Sequence, residues 1–127
     1  MANRVTRMET VKLKDDCIFC KIIKGEIPSN KVFENEKVFA FRDLYPQATE
    51  HILIIPKFHV DSLAHLNNDN RAIIGDLFDA ADEISVRLGF KDKGYRSVIN
   101  TGDEGGQTVF HLHLHIMAGN KMGAKFG

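Results

Sequence analysis

A chain of 127 residues with 43% hydrophobic residues has enough apolar material for one compact domain. Its 17 Lys and Arg balance 17 Asp and Glu, and the formal net charge of zero argues against a protein that wraps a nucleic-acid polymer. No apolar run approaches the roughly 20 residues needed to cross a bilayer, and "MANRVTRMETVKLKDD" has no apolar signal-peptide core, so the sequence reads as a cytoplasmic protein without membrane contact.

A polar arm is expected over residues 1 to 15, followed by a single domain over 16–127. Asp16 is placed to cap a short helix, "CIFCKIIK", which Gly25 closes as a C-terminal glycine. "EIPSN" breaks the chain at Pro28. "KVFEN" and "KVFAFRD" are β-rich runs joined by a tight polar turn at Asn35–Glu36, which predicts a hairpin. "HILIIP" is a short, nearly all-apolar strand ending at Pro56. His65, on the approach to the next element, is expected on a helix surface. From Asn68 to Leu88 the residues Ile73, Ile74, Leu77, Phe78, Ala81, Ile84 and Leu88 recur at helical spacing, and Gly89 ends the helix. "YRSVIN" is the next strand, "TGDEGGQ" a glycine loop and "TVFHLHLHIM" the last strand. Antiparallel strand order with helices set apart predicts an α+β fold.

The last strand concentrates the chemistry. Three of the six histidines fall within five residues, separated by leucines. Alternate side chains of a strand point to opposite faces. His111, His113 and His115 therefore share one face, spaced by roughly 7 Å, and Leu112, Leu114 and Ile116 share the other. Such a row has three readings: surface histidines, ligands for a metal ion, or a nucleophile with a proton donor for transfer of a charged acyl or phosphoryl group. The preceding loop favours the last. Gly102, Gly105 and Gly106 let backbone N–H groups approach an anion, Thr108 adds a hydroxyl and Asn100 an amide. The two cysteines of "CIFC" are too close in sequence for a disulfide scaffold. They read as a redox pair at a helix start, as half of a zinc site completed by histidines, or as packed thiols.

"HLHLHIM" follows the pattern His-φ-His-φ-His-φ-φ, and with it the chain resembles the histidine triad superfamily, most closely its Hint branch of nucleoside phosphoramidate hydrolases. The likeness runs through "DCIFCKIIKGEIPSNKVFENEKVFAFRDLYPQATEHILIIPKFH" and "YRSVINTGDEGGQTVFHLHLHIMAGNKMG", from about residue 16 to 123. It implies a five-stranded antiparallel sheet with one short and one long helix, and a homodimer in which two sheets join. It implies His113 as the nucleophile that becomes nucleotidylated, His115 at the phosphate and leaving group, and His51 as their supporting member. Asp43 matches the acid that binds the ribose hydroxyls, with Leu44 beside it. Asn100, Gly106, Gln107, Thr108 and Val109 match the phosphate-side segment. Phe19, Ile22 and Phe41 are expected around the base.

The same resemblance implies a structural Zn²⁺ on Cys17, Cys20, His59 and His111, and no organic cofactor. The expected partners are a purine nucleoside monophosphate, AMP or GMP, and its phosphoramidates. The expected reaction is hydrolysis of their P–N bond. Cleavage of dinucleoside polyphosphates is a second enzyme reading, and a nucleotide-binding interaction protein with incidental turnover is a third. The tail departs from the branch pattern, with Ala118 where a glycine is usual and no aromatic–proline ending.

Overall fold

The structure, a computed structural model, describes residues 13–124; the expected arm up to residue 12 and residues 125–127 lie outside the described residues. In chain order come helix α1 (Ile18–Ile23), strands β1 (Lys31–Glu34), β2 (Val38–Arg42) and β3 (Glu50–Pro56), a 3-10 turn (Leu63–His65), helix α2 (Ile73–Arg87), and strands β4 (Arg96–Val98) and β5 (Leu114–Ala118). The strands form one five-stranded sheet in the order β1-β2-β3-β5-β4. Every pairing is antiparallel, as the sequence predicts. Among the described residues no helix is long and apolar enough to cross a membrane.

The sheet is covered on both faces. Val38 and Ala40 of β2, Ile52 and Ile54 of β3 and Leu114 and Ile116 of β5 share one apolar cluster with Ile73, Leu77, Ala80, Ala81 and Ile84 of α2. On the opposite face Phe39, Phe41, Leu53 and Ile55 pack with Phe19, Cys20 and Ile22 of α1. This explains why "HILIIP" is a continuous apolar run. A half-covered strand would alternate, whereas one covered on both sides has no polar face. Leu13 already packs against the α1 cluster, so the described end of the expected arm is attached to the domain.

Both helices end in the same motif. Gly25 N–H bonds to the Ile22 carbonyl and Glu26 N–H to that of Lys21; Gly89 N–H bonds to Val86 and Phe90 N–H to Ser85. The motif requires a left-handed residue, and the two glycines take it at φ 80° and 82°.

The helix starts differ from expectation. Cys17, not Asp16, caps α1, its Sγ accepting the Cys20 N–H at 3.4 Å. Helix α2 begins at Ile73, not Asn68. Asn67 Oδ1 accepts the N–H groups of Asp69 and Asn70, and Asn70 Oδ1 accepts that of Asn67. These side chains offer the backbone a turn in place of the first helical turn. His65, expected on a helix surface, is exposed in the short 3-10 helix, its Nδ1 2.8 Å from Ser62 Oγ.

The last strand is also shorter than predicted. It starts at Leu114, because the preceding stretch leaves the β3 ladder and follows the chain beyond Pro56. There Leu112 N–H donates to the Val60 carbonyl at 2.8 Å. Strand β4 likewise contracts to Arg96–Val98 from the predicted "YRSVIN".

Candidate active site and metal cluster

The inward alternation of Leu112, Leu114 and Ile116 turns His111, His113 and His115 to the α1 face. His115 pairs with Leu53 across the β3–β5 ladder, and His51 with Met117. His51 and His115 are thus diagonal neighbours, and His51 Nε2 lies 3.0 Å from His115 Nδ1. The His113 and His115 rings are 4.9 Å apart between centroids. The edge-on ring of Phe19 fixes the other side of His113, at 5.3 Å and 89°.

Hydrogen bonds set the tautomers. His113 Nδ1 is 2.7 Å from the carbonyl oxygen of His111, which can only accept, so Nδ1 carries the proton and Nε2 keeps a lone pair. The Gln47 N–H donates to His51 Nδ1 at 3.0 Å, which puts the His51 proton on Nε2. That proton faces His115 Nδ1, so the His115 proton is on its own Nε2. The site thus pairs one imidazole with a free lone pair and one with a free N–H. Burial holds His113 below the usual imidazole range, pushes His115 down to about 4, and lowers His51. The Asp43 carboxylate opposes the fall at all three.

Asp43 stands at the end of β2, with Oδ2 3.5 Å from His51 Nε2 and Oδ1 accepting the Tyr45 N–H at 2.8 Å. Leu44, beside it, is 84% exposed. The glycine loop lies at the other end of the row. Asn100 Nδ2 donates to the Gly105 carbonyl at 2.7 Å. A Cβ on Gly105 would fall 2.3 Å from the Thr101 carbonyl oxygen, so only glycine fits there. Gly106 N–H is spent on Asp103, and Gln107 is buried with its N–H on Gly102. Among the described residues the N–H groups of Thr108 and Val109 have no hydrogen-bond partner, so they and the exposed Thr108 hydroxyl are donors open to an anion. Ile22 and Phe41 belong to the buried cluster around Phe19.

Cys17, Cys20, His59 and His111 come together as a second centre, their ligand atoms all within 4.8 Å of one another. His111 Nδ1 is 3.4 Å from Cys17 Sγ and 3.5 Å from Cys20 Sγ, and His59 Nδ1 is 3.5 Å from Cys20 Sγ. Tetrahedral zinc with ordinary Zn–S and Zn–N bonds holds sulfur and nitrogen about 3.6 Å apart, so the donor set fits. The outer nitrogens are engaged as metal-bound histidines require: His111 Nε2 donates to the Pro56 carbonyl at 3.1 Å, and His59 Nε2 lies 2.6 Å from Asp61 Oδ1. Burial pushes the Cys20 thiol up to about 11 and His111 down to about 4. A bound dication would reverse the first cost by stabilising the thiolate. Sequence reasoning missed Asp61 and the Gln47 amide. The only local signal for Asp61 is its place two residues after His59 in "HVD".

A fold, a histidine row and a glycine loop in this arrangement define a class. Residues 24–122 match the HIT domain, and the chain belongs to that family. It is 47% identical to protein HitA of Neisseria gonorrhoeae over 103 residues, 81% of this chain and 95% of that one. It is 38% identical to the purine nucleoside phosphoramidase of Escherichia coli over 111 residues, 87% of this chain and 93% of that one. The solved structure of a histidine triad protein from Clostridium difficile superposes with a TM-score of 0.87 at 45% identity, covering 89% of this chain and 98% of that one.

The depressed imidazoles tie stability to pH. His111 and His115, near 4 in the folded chain, titrate near 6.5 when unfolded, so between those values the unfolded chain binds more protons. Their contribution is therefore level above about pH 6.5 and falls as pH drops towards 4. Thermal unfolding of metal-free protein is expected to show a falling midpoint below pH 6.5, with a shallower fall in His115→Gln. Identical pH profiles for parent and variant would refute the assignment for His115.

Proposed function

We propose that the chain hydrolyses the P–N bond of purine nucleoside 5′-monophosphoramidates, releasing AMP or GMP, through a nucleotidyl-histidine at His113. The observation that carries this reading is the fixed tautomer of His113, whose Nδ1 is held by the His111 carbonyl while Nε2 keeps its lone pair. The similarity to a named purine nucleoside phosphoramidase supports the substrate class. In the first step His113 Nε2 attacks the α-phosphorus and the P–N bond breaks. The departing nitrogen takes its proton from solvent and leaves as an amine, with the His115 Nε2 N–H hydrogen-bonded to it. Water then attacks the phosphorus, gives a proton back to solvent and releases the nucleotide from His113. Asp43 takes the ribose hydroxyls, Leu44 and Phe19 flank the nucleoside, and Thr108 and Val109 supply donors to the phosphate.

An imidazole kept neutral by burial is a nucleophile at neutral pH without a separate base. His113→Ala should reduce hydrolysis of an AMP phosphoramidate to background, while a nucleotidyl adduct forms on His113 of the parent. Rapid quenching without acid, followed by peptide mass spectrometry, checks both. Hydrolysis near the parental rate in the variant, or an adduct on His111, would refute the role.

Cys17, Cys20, His59 and His111 are proposed to hold a structural Zn²⁺. Four protein ligands leave no open position for a reacting water, so the ion would supply cross-linking between α1, the β3 end and the histidine segment. Protein purified without chelator should contain about one zinc per chain, and Cys17→Ser should melt at a lower temperature. Metal analysis that finds no zinc would return the cysteines to simple packing.

A homodimer is proposed through the outer strand β4, whose free edge a second copy can extend. Light scattering at micromolar concentration should return twice the 14.3 kDa of one chain, and a monomer mass would reject the assembly.

A further inference from the structure

We propose that Gln107 is a positioning residue that couples the cysteine–histidine metal cluster to the glycine loop, so that metal occupancy sets the affinity of the loop for a phosphate group. The proposal rests on the zinc and phosphate assignments made above and goes beyond them. Gln107 lies in the phosphate-side segment, but its side chain is turned inward and is 5% exposed. Its Oε1 accepts the Gly102 N–H at 2.9 Å. Its Nε2 donates to the Asp61 carbonyl at 2.6 Å and to the Val109 carbonyl at 3.0 Å. Two carbonyls on one nitrogen fix the amide orientation, since neither can donate. With the Gln107 N–H on the Gly102 carbonyl at 3.0 Å, Gly102 is clasped twice, and the loop is closed where it begins and where it ends.

Asp61 is the joint between the two centres. Its backbone carbonyl receives Gln107, and its carboxylate receives His59 Nε2 at 2.6 Å. The same His59 turns Nδ1 to Cys20 Sγ. An ion on His59 Nδ1 would lock the ring, the ring would hold Asp61, and Asp61 would hold the amide that clasps Gly102. Linked hydrogen bonds in such a half-buried chain reinforce one another, so displacement at one end is felt at the other. The same Val109 whose carbonyl is held by Gln107 also carries one of the loop's free N–H donors. Binding linkage is reciprocal, so a phosphate in the loop must tighten metal binding by the factor by which the metal tightens phosphate binding.

Two variants separate this role from simple packing. Gln107→Met keeps the volume and removes the three amide hydrogen bonds. Asp61→Asn, at a side chain 41% exposed, keeps the backbone carbonyl but weakens the tie to His59, and it serves if the buried variant fails to fold. Titrating AMP by calorimetry into zinc-loaded and chelator-stripped parent should show at least fivefold weaker binding without metal, the lower end of ordinary coupling. In either variant the two states should differ less than twofold. Hydrogen exchange of residues 102–106 is read on the same samples without nucleotide. Stripping should speed it in the parent and change it less in the variants.

Metal dependence of the same size in parent and variants would overturn the coupling, as would a parent that takes up no zinc or whose loop exchange ignores stripping. A parent whose loop responds to metal while AMP fails to bind would uphold the coupling and reject the nucleotide reading instead.

Discussion

The hydrogen bond from His113 Nδ1 to the carbonyl of His111 is the contact around which the molecule is arranged. It spans two residues, yet it joins the two centres. The residue that donates carries the free lone pair, and the residue that accepts presents its own ring to two thiols. For that bond to form, the backbone at His111 must be immobile. The immobility comes from outside the histidine segment: Leu112 N–H is held by Val60, and His111 Nε2 by Pro56. The end of β3 therefore acts as the anvil for the histidine row. Burial then completes the chemistry, since the desolvation that holds the His113 ring below its ordinary range is the same that keeps it neutral.

The sheet makes this possible by being thick on both sides. Helix α2 closes one face with Leu77, Ile84 and their neighbours, and α1 closes the other with Phe19 and Ile22. The α1 face is a mixed surface. Phenylalanine rings cover it over β2, and imidazoles occupy it over β3 and β5. Phe19 touches both sets, edge-on to Phe41 at 5.5 Å and to His113 at 5.3 Å. A short helix of six residues would be marginal alone in water. Its stability comes from that packing and from the cysteine that both caps it and faces His111.

Much of this was legible in the residues because the strongest signals are periodic. The spacing from Ile73 to Leu88 marks a helix, the alternation from His111 to Ile116 marks two faces, and the break at Gly25 ends a helix. The boundaries were less legible. Asparagine side chains that bond to their own backbone delay α2 to Ile73, and propensity alone does not reveal how many residues they withdraw. The start of β5 depends on a partner, Val60, that lies 52 positions away from Leu112. The site divides in the same way. The triad and the cysteines stand out as clusters of rare types, whereas Asp61 and the Gln107 side chain meet across 46 positions with no local pattern to announce it. Gln107 matched a phosphate-side segment by position, but its amide is spent on the protein itself.

The two faces of the sheet also obey different rules of substitution. On the α2 side the requirement is volume: an aliphatic cluster tolerates exchanges that conserve size, and errors there cost free energy without moving a reacting atom far. On the α1 side the requirement is direction, because each imidazole is defined by which of its nitrogens is held. Distant, unconnected sites contribute nearly additively. The strands therefore act as a partition between two inheritable properties. Packing can change behind the sheet while the orientation of each imidazole in front of it stays fixed.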